Sequence, residues 1–143
     1  MKKITLFLAL LSLTACHKPT ADEKAAPQMV KIDSLYQKGD YPATLNAITR
    51  LRADYPEAIE SRKRALKIWQ DASLKMTQAD IGRTDSALQA AQLEYAAYGS
   101  RASMDDTTRL KANRLKAHID SLQIRYDALC GTVRVIRHQA SKP

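Results

Sequence analysis

The stretch LKAHIDSLQIRYDALCGTVRVI, residues 115–136, carries the most regular pattern in the chain. Large apolar residues recur in it at alternating steps of four and three: Leu115, Ile119, Leu122, Tyr126, Leu129, Val133 and Ile136. This spacing places them on one face of an α-helix and is typical of a coiled-coil seam. A seam of large residues needs a second helix to cover it, and we expect that helix within the same chain.

The segment before it, residues 57–98, contains no proline and only one glycine, which favours one long helix. Small residues recur in this segment every seven positions: Ala58, Ala65, Ala72, Ala79 and Ser86. Small residues allow a neighbouring helix to approach closely, so they complement the large seam. The sequence therefore predicts a long hairpin of two helices over residues 57–140.

The turn of this hairpin is expected near Gly99, because glycine suits the end of a helix. If the hairpin is antiparallel and centred on Arg101, Leu115 faces Ser86 and Ile136 faces Ala65. The alternative is two amphipathic helices within a compact bundle. A second apolar stripe could receive another copy of the chain or the N-terminal hairpin: Leu74, Ile81, Leu88 and Tyr95.

Residues 27–56 predict a shorter helical hairpin, which begins at Pro27 and is interrupted at Gly39. Its stretch YQKGDYPATLNAITRLRADYP, residues 36–56, resembles one tetratricopeptide unit. In that resemblance Gly39 and Tyr41 form the turn, and Ile48 takes the buried position of the second helix. We expect the hairpin either to cap the neighbouring helices or to dock a protein through Tyr41, Ile48 and Tyr55.

The N-terminus predicts export and anchoring. Two lysines precede an apolar run that is too short to span a bilayer, and the run ends in Leu13-Thr14-Ala15-Cys16. This ending resembles the bacterial lipoprotein signal, which implies removal of residues 1–15 and attachment of acyl chains, palmitate among them, to Cys16. By resemblance to the enterobacterial sorting rule, in which aspartate after the cysteine favours inner-membrane retention, His17 implies the outer membrane. Residues 16–26 are polar and predict a flexible tether.

The chain of 143 residues has a net charge of +8, which falls to +6 when Lys2 and Lys3 leave with the leader. No basic motif interleaved with aromatic residues points to nucleic acid. The expected counterparts are anionic headgroups, glycans or an acidic protein. The hairpin register brings six cations together as a candidate anionic-surface patch: Arg62, Lys63, Arg64, Lys67, Arg134 and Arg137.

Nothing in the sequence predicts an enzyme. His17, His118 and His138 lie on the tether, the long hairpin and the tail, without the spacing of metal ligands. We therefore expect no catalytic residue, cofactor or metal. Lipidation of Cys16 would leave Cys130 without an intramolecular partner, as a packed thiol or an intermolecular disulfide.

These patterns predict an all-α lipoprotein, similar to small helical envelope lipoproteins of Gram-negative bacteria. The leading expectation for its function is a non-enzymatic scaffold or adaptor that docks a protein. The alternatives are a self-associating spacer of the envelope, and a surface accessory protein that binds anionic lipid or glycan.

Overall fold

The computed structural model describes residues 18–98 and 105–142. Cys16, His17 and the turn predicted at Gly99 lie outside these residues. The described residues form four helices, as the all-α prediction requires: α1 (Ala21–Gln37), α2 (Tyr41–Asp54), α3 (Ile59–Ala96) and α4 (Asp106–Ala140).

Helix α1 begins earlier than the sequence analysis predicted. Thr20 and Glu23 form a reciprocal capping box, in which the Thr20 side chain accepts from the Glu23 N–H and the Glu23 carboxylate accepts from the Thr20 N–H. This arrangement satisfies two backbone donors that a helix start leaves unpaired. Residues 21–26 thus belong to α1 rather than to the tether, and Pro27 lies inside the helix.

A tight turn joins α1 to α2. Gly39 adopts a φ of 74°, a left-handed conformation that glycine tolerates best. Asp40 caps α2 by accepting from the Ala43 N–H, and Pro42 lies in the first turn of the helix. The two helices form the short hairpin that was predicted.

This hairpin packs against the first half of α3. Along α1, Asp22 contacts Ser61, Asp33 contacts Arg64, and Tyr36 contacts Asp71, so α1 runs parallel to α3. Helix α2 returns in the opposite direction. Eight buried residues form the core of this three-helix bundle: Ala25, Met29, Ile32, Ala47, Ile48, Leu51, Ala58 and Ala65.

Helices α3 and α4 form the predicted long hairpin. The 38 residues of α3 extend over about 57 Å at 1.5 Å per residue. Side-chain contacts from the short hairpin extend along α3 as far as Lys75. Beyond Lys75, four residues of α3 are buried: Thr77, Thr84, Leu88 and Ala91. On α4, the large seam residues are half-buried and Ala112 is buried.

The predicted pairing of the two seams is wrong. Ala65 is buried in the three-helix core, and Ala79 and Ser86 are exposed. Ile136 lies beside Trp69, Ser73 and Thr77 rather than opposite Ala65. In the first half of α3, the small residues therefore pack against the short hairpin. In the second half, they lie at the surface.

The geometry of a straight helix explains this error. A seven-residue repeat drifts by about 20° per heptad around a helix with 3.6 residues per turn. The second predicted stripe drifts in the same way. Leu74 and Ile81 are half-buried, whereas Leu88 is 7% exposed within the long hairpin. The four residues of that stripe are thus not one open surface for a second copy.

Candidate functional site

The largest exposed apolar side chains near the start of α3 share one face of the helix. Ile59 is 59% exposed, Leu66 is 43% exposed and Trp69 is 37% exposed. With Arg62 and Ser73 they are spaced 3-4-3-4, which aligns them along about 21 Å of the helix. A row of exposed apolar side chains with polar residues among them marks an interaction surface more often than single exposed residues do.

This strip is the floor of two adjoining depressions, which we call the base groove. The first holds about 340 Å³ and is lined by Arg52, Ile59, Arg62, Lys63 and Leu66. The second holds about 360 Å³ and shares Leu66 with the first. Its other lining residues come from α3 and α4: Trp69, Gln70, Ser73, Thr77, Thr132, Ile136 and Gln139. Helix α2 contributes to one end of the groove, and α4 forms a wall at the other.

The base groove is positively charged. The Arg52 guanidinium lies 4.7 Å from the centre of the Trp69 ring, within the range of a cation–π contact. Arg62 donates to the Pro56 carbonyl oxygen at 2.6 Å. Among the described residues, neither arginine forms an ion pair with a carboxylate, and no carboxylate lines either depression.

A second groove of about 780 Å³ lies at the same end of the molecule, between the start of α3 and the end of α4. Lys63, Arg64, Lys67 and Lys142 line it, together with Glu60. Lys63 pairs with Glu60 at 2.9 Å, which raises the pKa of Lys63. All these cations are solvent-exposed, so screening weakens their individual contacts.

The predicted six-residue patch is only partly assembled. Arg64 pairs with Asp33 at 2.7 Å, which neutralises part of its charge. Arg134 and Arg137 are exposed on α4. At 100° per residue, Arg134 lies about 160° around α4 from Ile136, on the face away from α3. Lys142 takes the place beside Lys63 and Lys67 that the sequence analysis gave to the two arginines.

The three residues predicted to dock a protein on the short hairpin do not form one surface. Ile48 is fully buried in the three-helix core, so a partner cannot reach it in this fold. The resemblance had implied this burial, and the docking role for Ile48 is wrong. Tyr55 is half-buried against the same core, and Tyr41 is half-buried beside Tyr36 at a ring-centre distance of 6.0 Å.

Tyr36 belongs to a polar cluster between α1 and α3. Its hydroxyl donates to Asp71, and the Lys75 ammonium contacts the Asp71 carboxylate at 2.9 Å and the Tyr36 oxygen at 2.8 Å. The hydrogen bond from Tyr36 and the contact with Lys75 lower the pKa of Asp71. The contacts of Lys75 with Tyr36 and Asp71 in turn raise the pKa of Lys75. This cluster fixes α1 on α3.

We expect Tyr36→Phe to raise the pKa of Asp71 toward its ordinary value of 3.8, because the hydroxyl is the largest cause of the lowering. A lowered carboxyl pKa stabilises the fold above the unfolded-state value and loses that contribution as pH falls through the folded-state value. The variant should therefore lose less stability than the parent below about pH 4. Carbon-13 NMR titration of the carboxylates measures the shift.

Tyr41→Phe is the matched control for this experiment. Tyr41 lies near Lys75, with the ammonium 5.9 Å from its ring centre, and phenylalanine keeps the ring. Removing the Tyr41 hydroxyl in this way should leave the pKa of Asp71 unchanged. An equal shift in both variants, or no shift in Tyr36→Phe, would contradict the assigned hydrogen bond.

No group of three His, Cys, Asp or Glu residues within the described ranges is arranged to hold a metal ion. His118 and His138 are exposed at separate places on α4, and Cys130 is a half-buried free thiol. Between residues 18 and 98 and between 105 and 142, no helix has the length and apolar character needed to cross a bilayer.

The sequence analysis missed Ile59 and Leu66 as site residues. Their 3-4 spacing with Arg62 and Trp69 is a detectable signal, but the neighbouring small residues form a more regular repeat, which predicts a different seam. Comparison of the chain with known protein families, curated proteins and solved structures finds no match.

Proposed function

We propose that this chain is a lipid-anchored, non-enzymatic adaptor of the bacterial envelope, which holds a protein partner in the base groove. The observation that supports this proposal is the exposed strip of Ile59, Leu66 and Trp69 beside Arg52 and Arg62, neither of which forms an ion pair with a carboxylate of the described residues. Tryptophan and arginine are enriched among the residues that dominate binding at protein interfaces. The groove replaces Tyr41, Ile48 and Tyr55 as the docking surface.

The position of the anchor supports this proposal. Thr20 caps α1, and two residues later Asp22 accepts from the Ser61 N–H at 2.7 Å, near the start of α3. The backbone from Cys16 to Thr20 spans at most about 14 Å. A diacylated Cys16 in the outer membrane would therefore hold the base groove close to the bilayer, with the far end of the long hairpin directed away from this attachment point.

In-cell crosslinking followed by affinity purification of the full chain tests the adaptor function. We expect one specific protein to be enriched with the wild type and lost with the double variant Leu66→Ser, Arg62→Glu. Leu93→Ala, at an exposed site on the far half of α3, should retain it. Cys16→Ser should reduce recovery by releasing the chain from the membrane. Equal recovery by the groove variant and Leu93→Ala would contradict docking in the groove.

A self-associating envelope spacer is the second candidate. The observation that favours it is the incomplete burial of the α4 seam, in which Tyr126, Leu129 and Val133 are half-exposed although they face α3. A second hairpin would cover such a seam in a four-helix arrangement. Light scattering should then give a mass that rises with concentration, whereas a constant monomer mass would exclude the spacer.

A further inference from the structure

We propose that the partner segment bound in the base groove is an acidic amphipathic helix, an inference that rests on the adaptor function proposed above. Its apolar residues would lie on Leu66 and Trp69, and its flanking carboxylates would face Arg52 and Arg62. Helices of this type present apolar anchors at positions i, i+3 or i+4, and i+7 to a groove.

The dimensions of the groove fit one helix. Its floor follows α3 from Ile59 to Ser73, about 21 Å, which corresponds to roughly four helical turns. Helix α4 forms a wall through Thr132 and Ile136. The floor residues are spaced 3-4-3-4, and the apolar stripe of an incoming helix has the same period.

The positive charge of the groove favours acidic residues on either side of the apolar stripe of the partner helix. Arg52 and Arg62 line it without any carboxylate among its described lining residues, whereas Lys63, which also lines it, pairs with Glu60. Arg52 lies over the Trp69 ring, so its cation stands directly beside the apolar floor. A helix with aspartate or glutamate beside its apolar stripe would pair with these cations, and one with lysine there would be repelled.

The shape argues against a lipid as the occupant. Sites for small amphiphiles enclose most of the ligand surface in a concave pocket. Here Ile59, Leu66 and Trp69 remain 37–59% exposed along an open strip, and the cations lie along that strip rather than around one point. An extended partner surface matches this layout better than one headgroup with an acyl chain.

Two synthetic helical peptides test the inference. Both carry four leucines spaced three and four residues apart, and they differ only in having glutamate or lysine beside the leucines. Titrated into the mature chain with Cys16→Ser, the glutamate peptide should bind at least about tenfold more tightly than the lysine peptide. The double variant Arg52→Glu, Arg62→Glu should reverse this preference, and Leu66→Ser should weaken the binding of the glutamate peptide.

Arg134→Glu is the matched control, because it makes the same change on the face of α4 away from the groove. It should leave both affinities unchanged, and circular dichroism melts should show that every variant is folded. Equal binding of the two peptides, or the same loss from Arg134→Glu, would overturn the inference. Binding to phosphatidylglycerol vesicles that depends on Arg52 and Arg62, without peptide binding, would overturn it in favour of lipid.

The two proposals can fail separately. Recovery in cells of a partner that depends on Leu66 and Arg62, together with equal binding of the two peptides, would retain the adaptor and reject the acidic helix. Preferential binding of the glutamate peptide without any groove-dependent partner in cells would retain the chemistry of the groove and reject the adaptor.

Discussion

Ile48→Ala should lower the free energy of unfolding by about 2–5 kcal/mol, the usual range for truncating a fully buried isoleucine to alanine. Ile48 is 0% exposed and lies among the eight core residues of the three-helix bundle. The change removes buried apolar surface and leaves a cavity that neighbouring side chains fill only partly. Urea denaturation followed by circular dichroism measures the loss.

Ile124→Ala makes the same chemical change at a site on α4 that is 70% exposed. We expect it to change the free energy of unfolding by less than about 0.5 kcal/mol, as surface substitutions usually do. If Ile48→Ala cost no more than Ile124→Ala, Ile48 would have to lie at the surface, and the docking role first predicted for it would return.

Ala65→Leu should destabilise the protein by about 1–3 kcal/mol, because added carbon atoms in a well-packed core force side chains or backbone to shift. Ala65 is 0% exposed where α3 meets the short hairpin. Leucine is as compatible with a helix as most residues, so the loss would come from packing rather than from helix propensity. Thermal and urea unfolding would both record it.

Ala79→Leu tests the register of α3 when it is compared with Ala65→Leu. Ala79 lies two heptads farther along the same predicted stripe but is exposed, so leucine there should be nearly neutral. Equal destabilisation by the two substitutions would support the predicted hairpin, in which both alanines face α4. A loss confined to Ala65→Leu would support the observed packing.

The sequence was sufficient for the helices and for the inward face of α4. Its seam residues are large and apolar over three heptads, and a pattern of that length fixes one face without ambiguity. Thr20 and Glu23 also indicate the early start of α1, whereas Pro27 favours a later one. A proline favours the first turn of a helix without excluding a position farther in.

The face of α3 that meets α4 could not be identified from apolar residues alone. Thr77 is buried in this interface, where its hydroxyl donates to the Ser73 carbonyl oxygen at 2.9 Å. This internal hydrogen bond removes the penalty of burying a hydroxyl, so a polar residue can occupy a seam position. Thr84 is buried in the same helix. The alanine stripe gave a clearer pattern but belongs mostly to another interface.

The base groove exists because α2 and α4 leave one face of α3 uncovered. Ile59, Leu66 and Trp69 would be ordinary core residues if α2 and α4 approached each other over this face of α3. Helices α2 and α4 are not among the helix pairs in extensive contact, so this face stays exposed, and local spacing does not encode that separation. The sequence could therefore supply the residues of the site but not the fact that they are open to a partner.

The order of the helices has a consequence for folding kinetics. Each pair of consecutive helices is in contact, and α1 with α3 is the other main contact, so the fold is built mainly by packing each helix on the one before it. Helical bundles as a class fold in microseconds to milliseconds. No residue of α4 belongs to the three-helix core. We therefore expect α1, α2 and the first half of α3 to assemble as the folding nucleus, with α4 docking afterwards along an existing helix.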